Sequence, residues 1–154
     1  MASSELDPIL VQVTIPLPIP MIYAAFTEAK QLREWMCDSA SVEPNVGGRY
    51  ELHFDSETVP FVSRGQVTRI TPDLEIGFTW IPPPTFDPNP EGRKGHPSQV
   101  YVRLQESPEG IDVTLEHAGW PSTDEGEEAR SWHFRIWDER LHELKDYLLK
   151  AAYG

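Results

Sequence analysis

The last third of the chain carries the clearest hydrophobic periodicity. Phe134, Trp137, Leu141, Leu144 and Leu148 recur at steps of three and four, which places them on one face of an α-helix. Arg135, Asp138, Glu139, Arg140, Glu143, Lys145 and Asp146 fall mostly off that face. Ser122-Thr123-Asp124-Glu125 ahead of the stripe supplies hydroxyls and acids suited to the positive end of a helix dipole. The spacing predicts a helix from about Glu127 to Ala152, roughly 39 Å long at 1.5 Å per residue. A helix of that length needs a broad apolar surface to lie on.

The rest of the chain supplies one, in a period of two. Ile9, Val11, Val13 and Ile15 alternate with more polar positions, so a first strand has one apolar face. Pro16, Pro18 and Pro20 end it, and Pro20 can open a short helix with Ile22 and Phe26 stacked one turn apart. A second short helix places Leu32, Trp35 and Met36 on one side. Strand signals resume after Ser39: Val42 begins a short strand, and Gly47-Gly48 marks a turn. Tyr50, Leu52 and Phe54 then alternate, and Phe61 to Ile70 forms a strand in which Gly65 marks a bulge or a close approach. Ile76, Phe78 and Trp80 alternate next, then Val100, Val102 and Leu104, then Ile111, Val113, Leu115 and His117. Turn-separated strands without intervening helices predict an antiparallel sheet. The proline-rich stretch 81–98 is a loop, either a solvent-exposed connection or a lid or docking segment using Phe86, Arg93, Lys94 and His96.

Length and charge narrow the picture. The 154 residues suit one domain at 9–154, preceded by a disordered tail at 1–8. A formal net charge of −12 argues against nucleic acid or an anionic membrane as partner. The single Cys37 cannot form an internal disulfide, which points to a reducing, cytoplasmic setting. No apolar run is long enough to span a membrane, and the start has no signal-peptide pattern. Cys37, His53, His96 and His142 show no metal-ligand spacing, so no metal or cofactor is expected. Asp112, Glu116 and Arg103 take the outward parity, and Asp124 to Glu128 is a solvated helix start. No catalytic residue stands out.

Several short motifs, taken in order, carry a family resemblance. They are Ile22-Tyr23 with Phe26-Thr27, Leu32 with Trp35, and Gly47-Gly48 with Tyr50. Gly65, Val67, Ile70 and Pro72 follow, then Leu74, Thr79-Trp80, His117 with Gly119-Trp120-Pro121, and His133 with Trp137, Leu141, Leu144 and Leu148. In this order and spacing the chain resembles the START-like, SRPBCC superfamily. Within it, the chain is similar to single-domain homologues of the activator of the ninety-kilodalton heat-shock chaperone's ATPase. Two features depart from that pattern: Ile136 stands where glycine is usual, and the loop after Trp80 is longer.

The resemblance implies an α+β helix-grip fold: a curved antiparallel sheet wrapped around a long C-terminal helix, with two short helices after the first strand. It also implies a cavity between sheet and helix for a small hydrophobic or amphipathic molecule. Trp35, Tyr50, Phe54, Phe78, Trp80, Trp120 and Trp137 are expected to face inward, either as ordinary core or as cavity wall. His117 shares the parity of Leu115, and His133 precedes Trp137 by one turn. The two imidazoles are expected at the cavity mouth, either as structural groups or as a polar handle titrating near neutrality. Two further functions follow from the resemblance. One is a chaperone-regulating module of the stress response, with a chaperone as partner. The other is a cyclase- or dehydratase-like enzyme, for which only the histidine pair qualifies as acid and base. The assembly is expected to be a monomer or a homodimer.

Overall fold

The computed structural model describes residues 5–55, 60–83 and 98–154. The chain order is β1 (Ile9–Ile15), α1 (Ile19–Thr27), α2 (Ala29–Trp35), β2 (Ser39–Val42), β3 (Arg49–Phe54), β4 (Phe61–Thr71), β5 (Glu75–Trp80), β6 (Ser98–Ser107), β7 (Gly110–Ala118) and α3 (Asp124–Tyr153). Among the described residues, seven strands form one sheet in the order β1-β7-β6-β5-β4-β3-β2, every pair antiparallel. β2 to β7 follow one another as neighbours, and β1 closes onto β7. β1 and β2 therefore lie at opposite edges, and α1 and α2 carry the chain from one to the other.

The alternating strands bury the faces that their period of two predicts. Ile9, Ile15, Val100, Val113 and Leu115 are fully excluded from water, and Ile76 and Phe78 almost so. α3 covers this face along β1, and α2 packs beside it. This is the helix-grip architecture. The Thr123 hydroxyl caps α3 by accepting from the Gly126 amide at 3.0 Å, and Asp124, Glu125 and Glu127 occupy the first turn. The cap sets the helix start three residues ahead of the expected Glu127.

Several local expectations are corrected. Phe134 is 43% exposed and not part of the core stripe, whereas His133 is buried in its place. The inward positions of α3 are His133, Trp137, Leu141, Leu144 and Leu148. Val42 ends β2 and does not begin it, pairing with Tyr50. Gly65 is a close approach: a side chain there would collide with the Thr79 carbonyl. The bulge lies further on, where the register of β4 against β5 shifts between Val67 and Arg69. Residues 5–8, the end of the expected tail, bond to the domain. Leu6 N donates to the Trp120 carbonyl at 2.8 Å, and Arg130 donates to the carbonyls of Asp7 (2.7 Å) and Pro8 (3.1 Å). The loop residues Phe86, Arg93, Lys94 and His96 lie outside the described residues.

This assignment of the stripe is open to direct test by urea unfolding. Leu144→Ala is expected to lose about 2–5 kcal/mol, since Leu144 is fully buried in the core. Phe134→Ala is expected to lose less than about 0.5 kcal/mol, as surface changes do. Equal losses at the two positions would place the helix in the wrong rotation.

Candidate functional site

The nine residues singled out from sequence separate into two groups. Trp35, Tyr50 and Phe78 belong to the first, which ties the two short helices to the sheet. The Trp35 ring meets Phe26 edge-on at 5.1 Å, and its indole donates to the Ala25 carbonyl at 3.0 Å. Tyr50 stacks on Phe78 at 4.0 Å and donates to the Phe26 carbonyl at 2.7 Å. Both polar tips are spent on the last turn of α1. Burial pushes the Tyr50 hydroxyl well above its ordinary value, so it stays protonated.

Phe54, Trp80, His117, Trp120, His133 and Trp137 form the second group, where the ends of β3, β5 and β7 meet the first half of α3. His117 is 0% and His133 1% exposed, and their rings lie 5.6 Å apart. Their tautomers follow from their partners. Indole is a donor only. The Trp137 indole donates to His117 Nδ1 at 2.9 Å, so the His117 proton sits on Nε2. That Nε2–H donates to Ser98 Oγ at 2.8 Å, and Ser98 Oγ donates to the Trp80 carbonyl at 3.0 Å. The Trp80 indole donates to His133 Nε2 at 3.1 Å, so His133 carries its proton on Nδ1 and donates to the Ala129 carbonyl at 2.7 Å. The Trp120 indole donates to the His117 carbonyl at 2.8 Å.

Both histidines are therefore inside the core and neutral, not at a mouth. Burial lowers the His117 pKa well below the usual imidazole value, and a charge on His133 would lower it further. Burial brings His133 down to about 4, against the opposing pull of the Ala129 carbonyl. The expected titration near neutrality is thus displaced to acid. Each ring nitrogen has a partner, which leaves the pair poorly placed for acid–base catalysis. Ser98 is the network member that sequence reasoning missed. Its only signal was its position, at the end of a strand beside the proline-rich stretch.

Beyond this network the aromatic surface continues outward. Trp80 meets Trp137 at 5.1 Å, Phe54 at 6.0 Å and Phe61 at 5.9 Å, and Phe54 stacks on Phe61 at 4.5 Å. Phe54 and Phe61 are only half-buried. Cys37 is half-buried too, and burial pushes its thiol up to about 12, so it is a poor nucleophile. Among the described residues, no three His, Cys, Asp or Glu side chains are grouped to hold a metal ion, and no helix is long and apolar enough to cross a membrane.

Comparison with known proteins agrees with this architecture. The family model described as Activator of Hsp90 ATPase homolog 1-like protein matches residues 16–149. Among solved structures, protein MLL2253 from Mesorhizobium loti is similar with a TM-score of 0.74 and 21% identity, covering 94% of this chain and 97% of that one. The Aha1 dimer from Colwellia psychrerythraea has a TM-score of 0.71 at 19% identity, covering 93% and 96%. DynU16, a protein of the dynemicin biosynthetic locus, has a TM-score of 0.74 at 19% identity, covering 94% of this chain and 48% of that one. At these identities the structural likeness speaks for the fold. Among curated proteins, no sequence matches the chain.

The neutral histidines make stability depend on acid. Unfolded imidazoles titrate near 6.5, whereas the folded ones take up protons only far below that. The unfolded chain therefore binds more protons as pH falls through 6.5, and the folded state loses stability. Between pH 6.5 and 5, the unfolding free energy is expected to fall by about 1 kcal/mol per pH unit for each histidine. Urea midpoints at fixed ionic strength measure this. A flat profile over that window would mean that the folded histidines are charged.

Proposed function

Because the chain belongs to the Activator of Hsp90 ATPase homolog 1-like family, we propose that it uses the space between sheet and α3 to bind a small hydrophobic or amphipathic molecule. One observation carries this reading: the aromatic surface from Trp137 through Trp80 to Phe54 and Phe61 passes from fully buried to half-buried rings. Here two stacked phenylalanines form its outer end, where an apolar ligand gains burial at ~25 cal/mol per Å². The Trp–His network supports the wall from behind and holds its rings in place. On this reading Trp80 and Trp137 are wall residues. His117, His133 and Trp120 are supports, and Trp35, Tyr50 and Phe78 shape the far side.

A second reading, regulation of a chaperone's ATPase, is favoured by the description of the family and by the similarity to the Colwellia psychrerythraea Aha1 dimer. The two readings separate experimentally. Native mass spectrometry of the purified protein is expected to reveal a co-purified molecule. Titration with fatty acids, flavonoids and small aromatics is expected to quench tryptophan fluorescence saturably, and Phe54→Ala to weaken that binding at least fivefold. Stimulation of the chaperone's ATPase with no compound bound would replace the ligand reading with the chaperone one.

A further inference from the structure

Among the described residues, Arg140 is the polar side chain with a buried atom that has no hydrogen-bond partner. It follows Trp137 by three positions, so it sits about 60° round the helix from the Trp137 direction, still beside the buried stripe. Tyr147 lies on the same flank, and its hydroxyl bonds to Gln31 of α2. That flank therefore faces α2. Cys37, just past α2, is close enough for the Arg140 charge to act on its thiol. Arg140 thus stands at the seam where α3 passes the corner between α2 and β2.

One end of its guanidinium is committed. Nη1 donates to both carboxylate oxygens of Glu143, at 3.1 Å each. The other side is not. Nε is buried and has no hydrogen-bond partner, and among the described residues it is the one buried side-chain nitrogen or oxygen in that condition. Nε–H and the adjacent Nη2 together form the straight edge of a guanidinium, two parallel donors spaced for the two oxygens of a carboxylate. No described residue accepts from that edge. A buried N–H of a cation without an acceptor is disfavoured, and the Arg140 side chain keeps 27% of its surface exposed, so an acceptor can approach the guanidinium from outside. Trp137 and Leu144, both fully buried, flank it along the helix.

We propose that the Nε–Nη2 edge of Arg140 receives the carboxylate of an amphipathic ligand whose apolar body lies against the aromatic wall. The assignment rests on the cavity reading and adds the ligand's charge class to it. A monoanion fits better than a dianion. Glu143 already neutralises much of the single positive charge, and the protein carries a net charge of −12. The Glu143 pair acts as a tether that turns the free edge inward.

The test uses matched acid and alcohol probes: naphthalene-1-acetate against 2-(1-naphthyl)ethanol, and decanoate against decan-1-ol, by calorimetry at pH 7. The native protein is expected to bind at least one acid tenfold or more tightly than its alcohol. Arg140→Met is expected to erase that preference and leave the alcohol's Kd within twofold. Its urea midpoint is expected to match or exceed the native one, since an unsatisfied buried donor is removed. Arg140→Lys keeps the charge without the parallel donors, and most of the preference is expected to go with them, which covers the case in which Arg140→Met folds poorly. If the alcohols bind as tightly as the acids, or if a folded variant keeps the preference, the carboxylate site is overturned while the cavity reading stands. If none of the four compounds binds, both are overturned.

Discussion

The structure depends on satisfying indole and imidazole groups in a core that water does not reach. Three indole N–H groups and two imidazoles are buried at one end of the grip, and a lost partner there costs the desolvation of the group left behind. The solution is directional. Trp137 on α3 donates to His117 on β7, while Trp80 on β5 donates to His133 on α3. Ser98 on β6 joins the two arms through His117 and the Trp80 carbonyl. Helix and sheet thus exchange hydrogen bonds in both directions. Apolar packing alone would allow α3 to slide or roll on the strands, whereas these bonds specify one rotation and one register.

The other features of that end follow from the same fixed rotation. Once His133 points at Trp80, Phe134 must point outward, because consecutive helical residues diverge by about 100°. The helix start must then approach the turn after β7 closely. Gly126 permits this, since a side chain there would meet the Pro121 carbonyl. The Thr123 cap and the strap of residues 5–8 close the remaining backbone groups, with Leu6 on the Trp120 carbonyl and Arg130 on those of Asp7 and Pro8.

Strand periodicity made most of the fold legible, because most strands have one buried face and a period of two admits only one assignment; β2, with no buried residue, is the exception in one direction and β5, which buries Ile76, Gly77 and Phe78 in a row, in the other. The helix was legible in length and nearly in phase. The error at Phe134 has a simple cause: hydropathy favours phenylalanine over histidine as the inward residue, and the bond that reverses that preference comes from Trp80 on β5, 53 residues away in the chain. The site was legible as a list but not as a geometry. Trp35, Tyr50 and Phe78 share the inward face with Trp80 and Trp137, yet strand order assigns them to the α1 anchor. The histidines were found by parity and phase, but their acid-shifted titration depends on burial, and parity carries no measure of depth. Arg140 gave no sequence signal, because an arginine flanking an apolar stripe is ordinary on a surface helix.

The buried polar groups of this fold divide into two kinds, and the division locates the chemistry better than residue type does. His117, His133, Ser98, Tyr50 and the indoles look like functional residues by type, yet each is buried with its donor spent on an internal partner. Arg140 looks like solvated surface by type, yet its Nε is buried and faces no internal acceptor. Folding stability favours completing every buried hydrogen bond, so a group left incomplete one helical turn from Trp137 is where the proposed ligand would contribute free energy. On the proposed ligand reading, the first kind of group holds the wall and the second sets selectivity. On that reading, changes at the seam would alter what is bound without disturbing the network that fixes α3 on the sheet.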